Sequence, residues 1–326
     1  MMLNNMLAMI LNQFSIALMG LLVSLALLAL VWPLIVRYII HLSARSQKNA
    51  LWLFVATPLV ISIMCVLVFL PPLSHSESWR WLTRYAHWHH PGAFDLDSWH
   101  SVILFGFFLG VIYVLARKGL LAIRHLNSLY SLNRLTKSAT KHSKTRQDFV
   151  VLDCEAPSAF TAGIIYPKCY VTTGLIERVS KMELDIIIAH ERAHIKHKDT
   201  RNRLLFALFA SFYPRSVVRR LNRMFSLATE QLADAHVGKS YCVCDIAQTL
   251  VKAARIQRFS AERVAHAGMN YFIGAEIDLR VRALIVPQVY RSFPLGTSLT
   301  LLALTMIVSF AAVDGLHHLI EVVFSH

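Results

Sequence analysis

From Phe14 to Val36 the chain carries no charged side chain and is almost wholly apolar. A helix needs about 20 such residues to cross the roughly 30 Å of bilayer hydrocarbon, so this run predicts a membrane span. It does not read as a cleaved leader. Nothing basic precedes it, it is longer than a leader's apolar core, and no small-residue cleavage site follows. Leu51 to Leu70, stopped by Pro71-Pro72, predicts a second span, Val102 to Ala116 a third and Phe293 to Val313 a fourth. The third is short unless it extends past Arg117 and Lys118, whose long side chains can snorkel. Pro33 and Pro58 are tolerable inside spans because neighbouring helices re-satisfy the freed backbone groups. Composition agrees. Hydrophobic residues make up 56% of the chain and charged residues only 16%, with a mean hydropathy of +0.49. Those values exclude a disordered chain, a collagen, a coiled coil and a simple soluble enzyme.

The placement of Lys and Arg sets the side of the membrane. Arg37, Arg45 and Lys48 follow the first span, eight Lys and Arg lie between residues 117 and 146, and Arg280, Arg282 and Arg291 precede the fourth span. The first 13 and last 13 residues contain none, and residues 73–100 hold only Arg80 and Arg84 against Glu77, Asp95 and Asp97. The bias puts both termini outside and residues 117–292 in the cytoplasm. The formal charge of +14 sits on an apolar background, without aromatic interleaving or a nucleic-acid motif. Its expected partner is anionic lipid, and no direct nucleic-acid binding is expected. Five thinly spread cysteines form no disulfide framework, and Cys242-Val-Cys244 is too closely spaced for a CxxC site.

Within residues 117–292 stands His190-Glu191-Arg192-Ala193-His194. Ser180 and Glu183 form an S-x-x-E capping pattern that starts a helix about ten residues upstream, and Leu184, Ile187 and Ile188 give it an apolar face. On that helix His190 and His194 lie one turn apart on one side and can share a Zn²⁺. Glu191, next to them, can hold a water beside the ion and take its proton. A catalytic zinc needs a third protein ligand and an open position. The candidate is Glu230, on a helix predicted from about Ser216 to Val237 and closed by Gly238. Asp234, four residues on, shares its face and can orient a ligating histidine. His197 is the rival ligand, although it and Asp199 fit the end of the first helix better.

The joint pattern, His190-Glu191-x-x-His194 followed by Glu230-x-x-x-Asp234, after several spans and before one more, resembles membrane gluzincins. It is most similar to the BlaR/MecR-type antibiotic-sensor peptidases. Ser158 to Gly163, then Pro167 to Val171 and Leu175, are similar to that family's strand pair ahead of the active-site helix. Read from the residues, these are two short β-prone runs with a turn near Tyr166-Pro167, whose exposed edge could receive an extended substrate by strand addition. The resemblance covers roughly residues 100–313. It implies a mainly α membrane protein with four transmembrane helices and an α+β gluzincin-type zinc protease domain inserted between the third and fourth. The corresponding division is 1–116 (three spans and an outside loop), 117–292 (metallopeptidase) and 293–326 (fourth span and outside tail). It also implies zinc held by His190, His194 and Glu230, with Glu191 as general base. In relatives, activation leads to loss of a small cytoplasmic winged-helix repressor, so a protein substrate of that kind is expected.

The sensor relatives carry a penicillin-binding domain after the last span, whereas Asp314 to His326 follow here, so a signal other than a β-lactam is expected. A membrane quality-control protease of the HtpX or Ste24 type shares both zinc motifs and is the alternative. A membrane receptor with a bracing zinc is a third reading, disfavoured by Glu191. His75, His87, His89, His90 and His100 crowd residues 73–100, with His317, His318 and His326 at the other outside end. Trp79, Trp81, Trp88 and Trp99 make an interfacial loop the simpler reading there than a metal or pH sensor. Leu204 to Tyr213 is apolar but too short to span, and Pro214 halts it. It reads as a core or membrane-facing helix.

Overall fold

The computed structural model describes residues 5–68, 101–102, 104–113, 116–117, 120, 149–264, 272–286 and 295–324. The loop 73–100 with its histidines and tryptophans lies outside the described residues, as do most of the basic tract 117–146 and the side chains of His317, His318 and His326.

The two N-terminal apolar runs form a helical hairpin, α1 (Asn5–Ile39) and α2 (Ala44–Val68). Ser43 starts α2 by accepting a bond from the Ser46 amide at 3.3 Å. Both helices are longer than the runs 14–36 and 51–70. Arg37 therefore closes α1, while Arg45 and Lys48 enter the first turns of α2 instead of lying in a loop. The pair packs closely where Gly20 faces Cys65, since a Cβ on Gly20 would fall 2.9 Å from the Cys65 sulfur. Ser62 adds an interhelical bond to the Ala17 carbonyl at 2.7 Å.

Among the described residues, α1 and α2 are the two helices long and apolar enough to cross a membrane. The apolar helix α3 (Leu104–Tyr113) is shorter. The region expected as a fourth span is also a helix. It runs past 313 to Phe324, so most of the expected outside tail is helical instead of a loose end.

Three short strands follow: β1 (Val150–Leu152), β2 (Ala159–Ala162) and β3 (Lys168–Thr172), in the order β1-β3-β2. β2 and β3 form the expected antiparallel pair, with Phe160 opposite Tyr170. The turn between them needs Gly163, whose φ of +116° would press a Cβ to 2.6 Å from the Tyr166 carbonyl oxygen. β1, which the sequence did not announce, pairs parallel to β3 on the other side.

The short helix α4 (Thr173–Ile176) leads into α5 (Lys181–Lys196), whose capping box is complete. The Glu183 amide donates to Ser180 Oγ at 3.3 Å and the Ser180 amide to Glu183 Oε2 at 2.7 Å. α5 is buried on two faces. Leu184 and Ile188 pack on Cys169, Val171 and Leu175 of the sheet layer, while Ile186 packs on Val237 and Ile246. That leaves the His190–His194 side fixed between the layers.

α6 (Asp199–Ala210), α7 (Arg215–Val237), α8 (Val243–Val264), α9 (Phe272–Ile285) and α10 (Leu295–Phe324) complete the chain. The largest core joins the N-terminal hairpin to α6 and α7. Trp52 meets Phe206 and Phe225 edge-on, these two stack at 4.0 Å, and the Tyr213 hydroxyl donates to the Phe54 carbonyl at 2.9 Å. Of the Leu204–Tyr213 run, Phe206, Ala210 and Tyr213 are buried in this core while Leu204 and Leu205 are exposed, and the hairpin packs against the metal-site helices.

Candidate metal centre

The two buried faces of α5 aim His190 and His194 toward α7, which brings Glu230 and Asp234 on one side because they are one turn apart. His190, His194 and Glu230 form the group able to hold a metal ion among the described residues, their ligand atoms all lying within 4.8 Å of one another. The individual separations are 3.1 Å between the two Nε2 atoms, 3.2 Å from His190 Nε2 to Glu230 Oε2, and 3.5 Å from His194 Nε2 to Glu230 Oε1. Zinc bonds of about 2.0–2.1 Å in a tetrahedron put neighbouring ligand atoms about 3.3 Å apart. The observed separations lie near that value, the two histidines meeting different oxygens of the Glu230 carboxylate.

The chemistry of the donors agrees with the geometry. His190 Nδ1 lies 3.0 Å from Asp234 Oδ1, and His194 Nδ1 lies 2.9 Å from Asp199 Oδ2. An ionised carboxylate only accepts, so each Nδ1 carries the proton and each Nε2 lone pair is turned inward. Two such lone pairs converging on a carboxylate form a site that a metal cation, or protons in its stead, satisfies. Asp234 lies behind His190. Asp199, read as belonging to the helix end, is the equivalent partner of the second histidine.

Two cations balance the carboxylates, and neither was anticipated. Arg280 of α9 grips Asp234 with two bonds, 2.8 Å from Nε and 2.7 Å from Nη2, and reaches Glu230 Oε2 at 3.1 Å with Nη1. Arg203 of α6 donates to Glu230 Oε1 at 2.5 Å. Burial alone would raise the Glu230 pKa, but the bonds from His190 and His194 and the charge of Arg280 outweigh it and hold the carboxyl well below its usual range. Asp234 is also lowered, burial being overcome by Arg280 and His190. Both are ionised at neutral pH, as a ligand and its supporting carboxylate must be.

Glu191 points from the same helix turn, and Thr161 of β2 donates to its Oε2 at 2.8 Å. The same hydroxyl lies 2.9 Å from the Glu191 carbonyl oxygen. The sheet edge and the glutamate are thereby one unit. A cavity of about 390 Å³ opens on His190, Glu191, Arg203 and Glu230, with Ile187, Ile246 and Leu250 on its apolar side. A larger cavity of about 500 Å³ between α1, α2 and α10 is lined by Leu28, Ile39, Phe54, Leu301 and their neighbours and holds none of these groups.

His197 caps the C-terminus of α5 and faces His236, with ring centroids 5.4 Å apart, outside the ligand group. We expect Glu230→Gln to weaken zinc binding sharply and His197→Ala to leave it nearly unchanged, as measured by competition with a chromophoric chelator. A larger loss in His197→Ala would overturn the assignment of Glu230. The cysteines are free, and Cys169 is inert, burial raising its thiol pKa to about 12.

Comparison with known proteins places the same segment in a peptidase setting. Residues 130–286 match the model of peptidase family M48. A stretch of 98 residues is 34% identical to a protein described as a protease HtpX homolog of Thermodesulfovibrio yellowstonii. The aligned part amounts to 29% of this chain and about a third (34%) of that relative's length. The family match covers a little under half of the chain and includes His190, His194, Glu230 and Asp234.

Proposed function

We propose that the chain is an integral-membrane zinc endopeptidase in which His190, His194 and Glu230 hold the ion and Glu191 is the general base. The observation that carries this reading is the convergence of both Nε2 atoms on the Glu230 carboxylate, each imidazole being fixed from behind by a carboxylate. When bound, zinc supplies Lewis acidity, polarising the scissile carbonyl and lowering the pKa of water from about 16 toward about 7. Asp234 and Asp199 keep both Nε2 lone pairs directed inward. Glu191, anchored at one oxygen by Thr161, takes a proton from the attacking water with the other and delivers it to the leaving amine. Among the described residues no further strand pairs with the outer edge of β2, so an extended substrate can add there as a strand beside Glu191.

The basic-residue bias supports a cytoplasmic location for this chemistry. A periplasmic reporter fused after residue 90 is expected to be active, and one fused near residue 240 silent. The reverse pattern would exclude a cytoplasmic substrate and leave the zinc site untouched.

Two substrate classes follow. The resemblance to antibiotic-sensor peptidases supports regulatory cleavage of a cytoplasmic protein such as a winged-helix repressor. The match to an HtpX homolog supports the second reading equally, quality control of membrane proteins. New protein N-termini compared between wild-type and Glu191→Ala cells separate them. One or a few Glu191-dependent cuts, including one in a small DNA-binding repressor, identify a regulator. Many cuts in loops of damaged membrane proteins identify quality control. No Glu191-dependent cut in either fraction would refute the endopeptidase.

A further inference from the structure

Each ligating histidine is held by a carboxylate, and each carboxylate is held in turn by a cation, but the two cations come from different parts of the molecule. Asp234 is gripped by Arg280, a residue of α9 within the segment that carries the metal site. Asp199 is met by Lys48, whose Nζ lies 2.9 Å from Oδ1 while Oδ2 receives His194 Nδ1 at 2.9 Å. Lys48 stands near the start of α2, in the membrane hairpin. Its contact is not a surface ion pair, because the two side chains are only 14% and 2% exposed. The ammonium also lies over the Phe225 ring, 5.5 Å from its centroid, on the helix that carries Glu230. Trp52, one turn further along α2, packs on Phe206 and Phe225 and sets the depth at which Lys48 enters.

We propose that Lys48 is a positioning residue of the metal centre, so that the site behind His194 is complete only when the membrane hairpin is seated on α6 and α7. The proposal rests on the zinc reading above. Asp199 has two oxygens and two partners. With Lys48 holding Oδ1, Oδ2 is directed at His194 and the imidazole is locked with Nε2 toward Glu230. Without Lys48 the carboxylate is free to turn, and a buried charge has lost its counter-ion. A shift of α2, the helix that leads into residues 69–100, is therefore felt at a metal ligand. By reciprocity, zinc binding favours the seated hairpin by the same factor.

The test uses purified full-length protein, wild type and the variants Lys48→Met, Lys48→Gln and Lys48→Arg. Two readouts are taken, the zinc dissociation constant by chelator competition and the visible spectrum of the cobalt(II)-substituted protein. Lys48→Met is expected to bind zinc about 10–100-fold more weakly, the usual loss when support behind a ligand is removed. Its cobalt bands should shift as His194 reorients. Lys48→Arg, which restores the charge and a donor, should recover both the affinity and the spectrum. If Lys48→Met does not fold, Lys48→Gln, which keeps a donor without the charge, makes the same comparison and should fall between wild type and Met. Wild-type affinity and spectrum in Lys48→Met, or a Lys48→Arg variant no better than Lys48→Met, would overturn the proposal while leaving the zinc reading intact. A wild-type protein that takes up no zinc would instead bring down the zinc reading, and this inference with it.

Discussion

Glu191→Ala is expected to retain about one zinc per chain and to lose peptide-bond cleavage by a factor of about 10²–10⁴, the usual contribution of a positioned general base. The two halves of that expectation come from different contacts. The ligand atoms are supplied by His190, His194 and Glu230, so the ion's seat survives the substitution. The lost carboxylate is the one that Thr161 holds at 2.8 Å, outside the ligand group. Metal analysis and hydrolysis of a peptide reporter, made on the same preparation, check both. A Glu191→Ala protein with full activity would remove the general-base assignment, and one that had also lost its metal would make Glu191 part of the seat.

The second large effect is on the metal itself. Replacing His190 or His194 by Ala should abolish stoichiometric zinc in the purified protein. Two intact ligands would remain, whereas a catalytic zinc site is built on three. Full retention in both variants would remove the basis of the functional reading.

Protons compete for the same seat, and the direction can be worked out. Burial pulls the His190 pKa down, but the bonds to Asp234 and Glu230 and their charges outweigh it, and in the metal-free protein it stands near 9, above the ordinary 6.5. Protonated His190 therefore stabilises the metal-free fold fully below pH 6.5, and that contribution is lost as pH rises toward 9. Zinc must displace this proton, so its affinity should rise between pH 6.5 and 9, by about tenfold per pH unit for one proton released. A flat affinity over that range would contradict the proton competition.

The parts of this centre that could be read from the sequence are the parts whose signals are local. Ser180 and Glu183 mark the start of α5 within one turn, and spacing alone puts His190 above His194 and Glu230 above Asp234. Pro214 and Gly238 bracket α7. What could not be read is what arrives from a distance. Arg280 lies 46 positions from Asp234, and Arg203 lies 27 from Glu230. As single arginines on helices they carry no mark that separates them from solvated ones. Lys48 is 151 positions from Asp199 and counted only as one more basic residue setting topology.

Asp199 went unread as a partner of His194 for another reason. The chain turns back at Lys198, a non-glycine residue with a φ of 54°, and only that reversal brings the next carboxylate under His194. Left-handed turns at lysine have no reliable sequence signature. β1 escaped notice because three residues are too few to show alternation.

The hydroxyl of Thr161 ties strand β2 to the side chain of Glu191, so the place where a substrate strand would be seated is joined directly to the place where its bond would be broken. Along an extended chain each residue advances about 3.3 Å and presents the opposite face, so a slip of one position replaces the bond over the glutamate with its neighbour. A substrate held this way is cut at a set distance from the point where its strand is anchored. The molecule would then act as a ruler, measuring along the backbone, and the residues flanking the cut would matter less than where the strand begins.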